Sequence, residues 1–207
     1  MTVDRRWNAV TAGLRHSVAL RTDGVWAWGW NSSGQLGLAP QQGVPSNEDR
    51  FSPGLVETNT DWLMIAPGGR HTLGVRSDGT LWAWGSNDAG QLGTGKKADE
   101  RAPIRIGAGT NWIIVAAGEF HSIGLQRNGT LWVWGKNSSG QLGNFTTADE
   151  QAPIQVDNGT NWVAIAAGRT HTLGMKSDGS LWSWGDWEGN TGDQAAMDRL
   201  VPRRVDK

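Results

Sequence analysis

The 207-residue chain carries nineteen Lys and Arg against twenty Asp and Glu, and a net charge of −1 excludes recruitment to nucleic acid or a membrane surface by charge alone. It has no Cys, which removes disulfides, thiolate metal sites and cysteine nucleophiles together, and its length suits one or two domains of about 100–200 residues. Fourteen Trp and thirty Gly, with no Tyr, point to many tight turns or an internal repeat.

Met1 to Trp7 has no apolar stretch behind its charges, and no window approaches the roughly 18 apolar residues of a transmembrane helix. A cytoplasmic protein without membrane attachment is therefore expected. The organisation follows from the four histidines, His16, His71, His121 and His171, spaced by 55, 50 and 50 residues. Each follows a Trp by nine positions (Trp7, Trp62, Trp112, Trp162) and a Gly by three, and each precedes a Trp-x-Trp-Gly group ending at Trp28, Trp84, Trp134 or Trp184 plus Gly. Twelve of the fourteen Trp fall on these repeat positions, leaving Trp30 and Trp187 outside the register.

The first unit, 7–56, lacks one turn residue at Asp23-Gly24-Val25 and gains six between Gly37 and Pro53, which accounts for its 55-residue step. The units 62–106 and 112–156 are nearly identical in places, as in Ala98-Asp99-Glu100 against Ala148-Asp149-Glu150. In the third unit Trp112–Ala117 is a short apolar run, and His121–Gln126 alternates like a strand. Asn128-Gly129 is a hairpin turn signal, because both residues tolerate positive φ. Thr130–Trp134 then sends Trp to one face and Leu or Val to the other, and a loop leads to a fourth short strand at Pro153–Val156. The unit 162–205 drifts at Asp186-Trp187-Glu188, where the others read Asn-x-x-Gly-Gln-Leu-Gly. No 3.6-residue period extends over a helical length.

Four short antiparallel strands per unit, repeated four times, predict an all-β chain: one β-propeller domain over 1–207, built from four blades of about 50 residues. Such blades either close as a four-membered ring, are completed to eight by self-association of two copies, or form a piece of a longer propeller. An open half-ring would expose large apolar faces, so closure or a homodimer is expected.

The unit Ala-Ala-Gly-x-x-His-Thr/Ser-x-Gly, continued by Asp/Asn-Gly-Thr-Leu-Trp-x-Trp-Gly-x-Asn-x-x-Gly-Gln-Leu-Gly, resembles the regulator of chromosome condensation repeat, in a form like the bacterial one, from about Trp7 to Val205. The resemblance implies a propeller, usually seven-bladed in the family. It also implies protein–protein interaction: members act as exchange factors on small GTPases, bind nucleosomes or cap enzyme active sites. Nothing in this chain selects a GTPase, so exchange factor or enzyme inhibitor stands as a second alternative by family analogy only, and the charge balance argues against nucleic acid. The competing expectation is a natural or engineered scaffold whose main property is symmetric assembly.

Histidine is the obvious catalytic candidate. Yet His16, His71, His121 and His171 hold one repeat position beside Ser or Thr, which predicts a structural hydrogen bond to backbone within each blade. The alternative, four imidazoles gathered on the axis around a metal, is the weaker reading, and no cofactor is expected. Asp23, Asp78 and Asp178 precede Gly as turn formers, and nucleophile-elbow, phosphate-loop and zinc-helix motifs are missing from the sequence, so an enzyme is not expected. Trp28, Trp84, Trp134 and Trp184 are expected in the scaffold. Recognition is expected where the repeats disagree: Arg15, Arg70 and Phe120 just before the histidines, Trp30, the first-unit insertion through Phe51, Phe145, and Trp187. These residues would contact a partner or an inter-copy seam.

Overall fold

A computed structural model describes residues 6–38, 47–186 and 200–205, and the descriptions below concern these residues. They form four sheets of four antiparallel strands, each sheet a meander in chain order. Blade 1 comprises β1 (Trp7–Ala12), β2 (His16–Arg21), β3 (Gly24–Gly29) and β4 (Arg50–Glu57). Blade 2 comprises β5 (Trp62–Pro67), β6 (His71–Arg76), β7 (Leu81–Gly85) and β8 (Glu100–Ile106). Blade 3 comprises β9 (Trp112–Ala117), β10 (His121–Gln126), β11 (Leu131–Gly135) and β12 (Glu150–Gln155). Blade 4 comprises β13 (Trp162–Ala167), β14 (His171–Lys176), β15 (Leu181–Gly185) and the two-residue β16 (Arg203–Arg204). Among the described residues no helix is long and apolar enough to cross a membrane.

The turns between second and third strands carry the chemistry that their sequence announces. Asn128 Oδ1 accepts the Thr130 backbone N–H, Asp78 and Asp178 do the same in their blades, and Gly129 takes φ 78°, which suits glycine. The shorter first-blade turn is instead tied by Arg21 Nε donating to Asp23 at 2.6 Å; that guanidinium holds the Asp23 carboxyl down at about 2. The fourth strand starts three residues before the expected Pro153, because Glu150 pairs with Gly135 across a register shift.

Each blade is stapled by its three tryptophans. Trp112 stands edge-on to Trp132 and Trp134, with ring centroids 6.0 Å away, and the other blades repeat the triad. The Trp112 ring lies over Gly124, where an added Cβ would sit 2.6 Å from the indole; only glycine leaves that room. Between blades, the aliphatic side of one sheet meets the Trp side of the next. Leu73, Val75, Leu81 and Leu92 of blade 2 enclose Trp112, Val115 and Trp134 of blade 3. The seams between blades 1 and 2 and between blades 3 and 4 are built alike. The first strands pack against one another in order, β1 on β5, β5 on β9 and β9 on β13, so they form the inner wall. Three such cores join four blades, and among the described residues none joins blade 4 to blade 1: the molecule is an arc, not a closed four-bladed ring.

Candidate functional site

The side chains of His16, His71 and His121 do not bond backbone within their own blades; they bridge blades. Thr172 Oγ1 can only donate to the Gln141 carbonyl, 2.8 Å away, so the His121 Nε2–H donates to that hydroxyl at 3.0 Å. His16 reaches Thr72 and His71 reaches Ser122 in the same way, at 2.9 and 3.0 Å. The three imidazoles are buried and each Nδ1 lacks a partner, so a proton there would be stranded. Burial accordingly pushes His16 down to about 4 and His121 to about 3, with the charge of His171 adding to the latter. Burial, then the neighbouring His16 and His121, pushes His71 to about 3. These rungs keep neutral imidazoles at seams, away from solvent. Among the described residues no cluster of three His, Asp or Glu is arranged to hold a metal ion.

The Gly-Gln-Leu-Gly motif forms the other half of each seam. Asn87 Oδ1 accepts the Leu92 N–H, the Asp99 carboxylate accepts the Asn87 N–H, and the Gln91 carbonyl accepts both Ser122 Oγ and Trp134 Nε1 of the next blade. Trp84 and Trp134 are fully buried there and Trp184 nearly so, whereas Trp28, which no described blade covers, is half-buried.

The residues that vary between the repeats have a separate place. After each Trp-x-Trp-Gly, the next residue donates its backbone N–H to the carbonyl of the residue before His, at 2.8–2.9 Å in all four blades. This one hydrogen bond pairs Arg15 with Trp30, Arg70 with Ser86, Phe120 with Lys136 and Thr170 with Asp186. A constant backbone thus carries four different residue pairs in a row along one end of the blades, with Ser86 alone among them buried. Arg15 and Arg70 both lie over the Trp30 ring, each 4.7 Å from its centroid, so a guanidinium from each of two blades flanks one indole. Phe120 carries Lys136 at 5.4 Å, the same chemistry with cation and aromatic exchanged. Arg15 and Arg70 are exposed, and among the described residues neither meets a carboxylate. The row borders a depression of about 510 Å³ at the arc centre, lined by Leu14, Arg15, Gly69, Glu119 and Arg169, where Arg169 bonds Glu119 across a seam at 2.6 Å.

The structure therefore brings Arg15, Trp30, Arg70 and Phe120 onto one face. It does not bring Phe51 or Phe145 there. Phe51 stands on the outermost strand of blade 1, 98% exposed, and Phe145 is an exposed loop residue at φ 68°, its N–H donated to the Leu200 carbonyl. Trp187 lies outside the described residues, as does most of the first-unit insertion, whose Leu38 is buried in the first seam. Lys136 was not singled out by its type; its register equivalence to Trp30 was the signal that marks it.

An arc of meander blades, with repeated residues at the seams and varied residues on one face, defines a β-propeller scaffold, a class whose chemistry resides in its loops. Sequence models described as the regulator of chromosome condensation (RCC1) repeat match residues 22–75, 78–125 and 128–175, and, in a second version, 7–35, 112–141 and 162–190. The chain belongs to the RCC1 repeat family. It is 39% identical to the Arabidopsis thaliana ultraviolet-B receptor UVR8 over 90 residues, 42% of this chain and 19% of that protein. It is 42% identical to the human probable E3 ubiquitin-protein ligase HERC6 over 86 residues, 40% of this chain and 8% of that one. These matches thus span less than a fifth of either relative. Human WBSCR16 superposes with a TM-score of 0.84 at 24% identity, over 99% of this chain and 54% of its own. Yeast RCC1 (Prp20), solved bound to Kap60, gives 0.82 at 24%, over all of this chain and 50% of its own. At these identities the likeness shows the fold, and the arc corresponds to about half of each solved propeller.

Proposed function

We propose that the protein is a non-catalytic interaction platform that engages an anionic, partly apolar segment of a protein partner through Arg15, Trp30, Arg70, Phe120 and Lys136. The observation that carries this reading is the shared backbone hydrogen bond beneath four dissimilar side-chain pairs: the scaffold is held constant while the displayed chemistry changes. Trp, Phe and Arg are the residue types that anchor interfaces, and two guanidiniums free of carboxylate partners among the described residues favour an acidic counterpart. The near-neutral chain supports a protein rather than nucleic acid or a membrane as the partner class. The buried, neutral seam histidines support a role without catalysis. A solved relative, Prp20 from Saccharomyces cerevisiae, is described with binding to Gsp1p and histones, so protein recognition on this fold has a precedent.

The test uses fluorescence anisotropy with a panel of Asp/Glu-rich peptides, with and without aromatic residues, on the wild type and the variant Arg15→Ala/Trp30→Ala/Arg70→Ala. The reading expects at least about a tenfold loss of affinity, weakening further with salt, at an unchanged unfolding midpoint. Equal binding by wild type and variant refutes it.

A further inference from the structure

The seam between blades 2 and 3 differs from its neighbours at one buried point. Between blades 1 and 2, Glu57 accepts the Trp62 Nε1–H at 2.5 Å, and between blades 3 and 4 Asp157 accepts the Trp162 Nε1–H at 3.3 Å. The same register position in the middle seam is Gly107. Trp112 is only 5% exposed, yet its Nε1–H meets no acceptor among the described residues. The cation of the triad is gone as well: Arg76 and Lys176 lie over the rings of Trp62 and Trp162, where blade 3 has Gln126, whose side-chain oxygen is taken by Asn111.

Two other cations border the groove that this leaves. The hollow, of about 580 Å³, is lined by Trp112, Gly107 and Gly109 together with Lys96, Arg105 and Glu100. Nothing lies within 4 Å of a Cβ placed on Gly107, and one on Gly109 would stand 3.6 Å from Trp112 Nε1, so there is room beside that N–H. Lys96 and Arg105 are exposed and make no ion pair among the described residues, although Arg105 Nη2 donates to the Ala108 carbonyl at 3.0 Å. In the next blade their positions hold Thr146 and Gln155. Relative to the seam that follows, the chain has thus given up an internal carboxylate and gained two positive charges at the groove. The acidic groups nearby are Glu100 on its wall and Asp78, whose carboxylate is already bonded to Thr80.

We propose that this groove is a carboxylate-binding site, in which an anion from outside the chain accepts the Trp112 Nε1–H and pairs with Lys96 and Arg105. A buried donor without an acceptor is costly, and a carboxylate is what the same indole position takes in the seams on either side. The chemistry suits an Asp or Glu side chain of a protein and a free small acid alike. The site does not rest on the Arg15–Trp30–Arg70 row: its groove shares no lining residue with the depression beside that row.

NMR of the indole N–H groups tests the assignment, with glutarate, a capped Gly-Gly-Glu-Gly-Gly peptide and its Gln counterpart as probes. The proposal expects the Trp112 signal to move with a carboxylate probe and to stay with the Gln peptide, while Trp62, already bonded to Glu57, stays throughout. Tighter binding of the Glu peptide assigns the site to protein side chains, and tighter binding of glutarate to free acids. Lys96→Gln/Arg105→Gln, two exposed substitutions, should weaken the response at least tenfold at unchanged circular dichroism. Gly107→Asp, at a φ of 64° that Asp accepts better than most residues, should supply the carboxylate from within and abolish the response. A Trp112 signal unmoved by either carboxylate, an equal response to the Gln peptide, a response confined to Trp30, or an unchanged affinity in the double variant would each overturn it.

Discussion

Acidification should open the blade seams before it affects the turns. His16, His71 and His121 are held neutral at about 4, 3 and 3, against 6.5 for an ordinary histidine, so the unfolded chain binds more protons and stability falls as pH drops below 6.5. At pH 5 an ordinary imidazole is almost fully protonated and these three almost fully neutral, which costs about 2 kcal/mol per histidine and about 6 kcal/mol for the three. That is comparable to the whole stability of a typical domain, about 5–15 kcal/mol. Asp23, Asp78 and Asp178 are all held below the ordinary carboxylate value, so their protonation acts at lower pH. Urea unfolding followed by Trp fluorescence at pH 7.5 and 5.0 should show the midpoint collapse, and His121→Gln should remove about a third of the pH dependence. An unchanged midpoint, or imidazole NMR signals of these three residues titrating near 6.5, would refute the seam account.

Other outcomes follow from the same geometry. Thr172→Val strands the His121 Nε2–H and the Gln141 carbonyl in a buried seam and should cost about 1–3 kcal/mol by urea titration, whereas Ser17→Ala, at the open end, should cost the single chain nothing measurable. Gly124→Ala drives a methyl into the Trp112 ring and should destabilise by about 1–3 kcal/mol, with the near-ultraviolet Trp dichroism altered. Phe145→Asn relieves a left-handed backbone that bulky residues disfavour and should raise stability by about 1 kcal/mol, read as a higher thermal midpoint.

The blades were legible because a 50-residue period multiplies weak local signals. One Trp-x-Trp-Gly is ambiguous, but four in register with His, Gly and Asn-Gly or Asp-Gly turns specify four meanders, and the Trp/Leu alternation in Leu131–Trp134 separated the two sides of the strand without showing that each meets a different neighbouring blade. The direction of the histidine bond was not legible: the pattern shows that His recurs beside Ser or Thr, not that it reaches the Thr of the following blade, some 50 residues on. Closure was likewise beyond sequence pattern, since blade curvature depends on packing among β1, β5, β9 and β13. Departure from the repeat located Arg15, Trp30, Arg70 and Phe120, which converge on one face. The same criterion also selected Phe51 and Phe145, which depart from the repeat at other places in the fold.

Hydroxyl-radical footprinting of the protein bound to its highest-affinity acidic peptide tests the division between constant scaffold and varied face most directly. The account predicts that Trp30 and Phe120 lose reactivity on binding while Phe51 and Phe145 keep theirs. Protection of Phe51 or Phe145 with Trp30 and Phe120 unchanged would contradict it and move recognition away from the row.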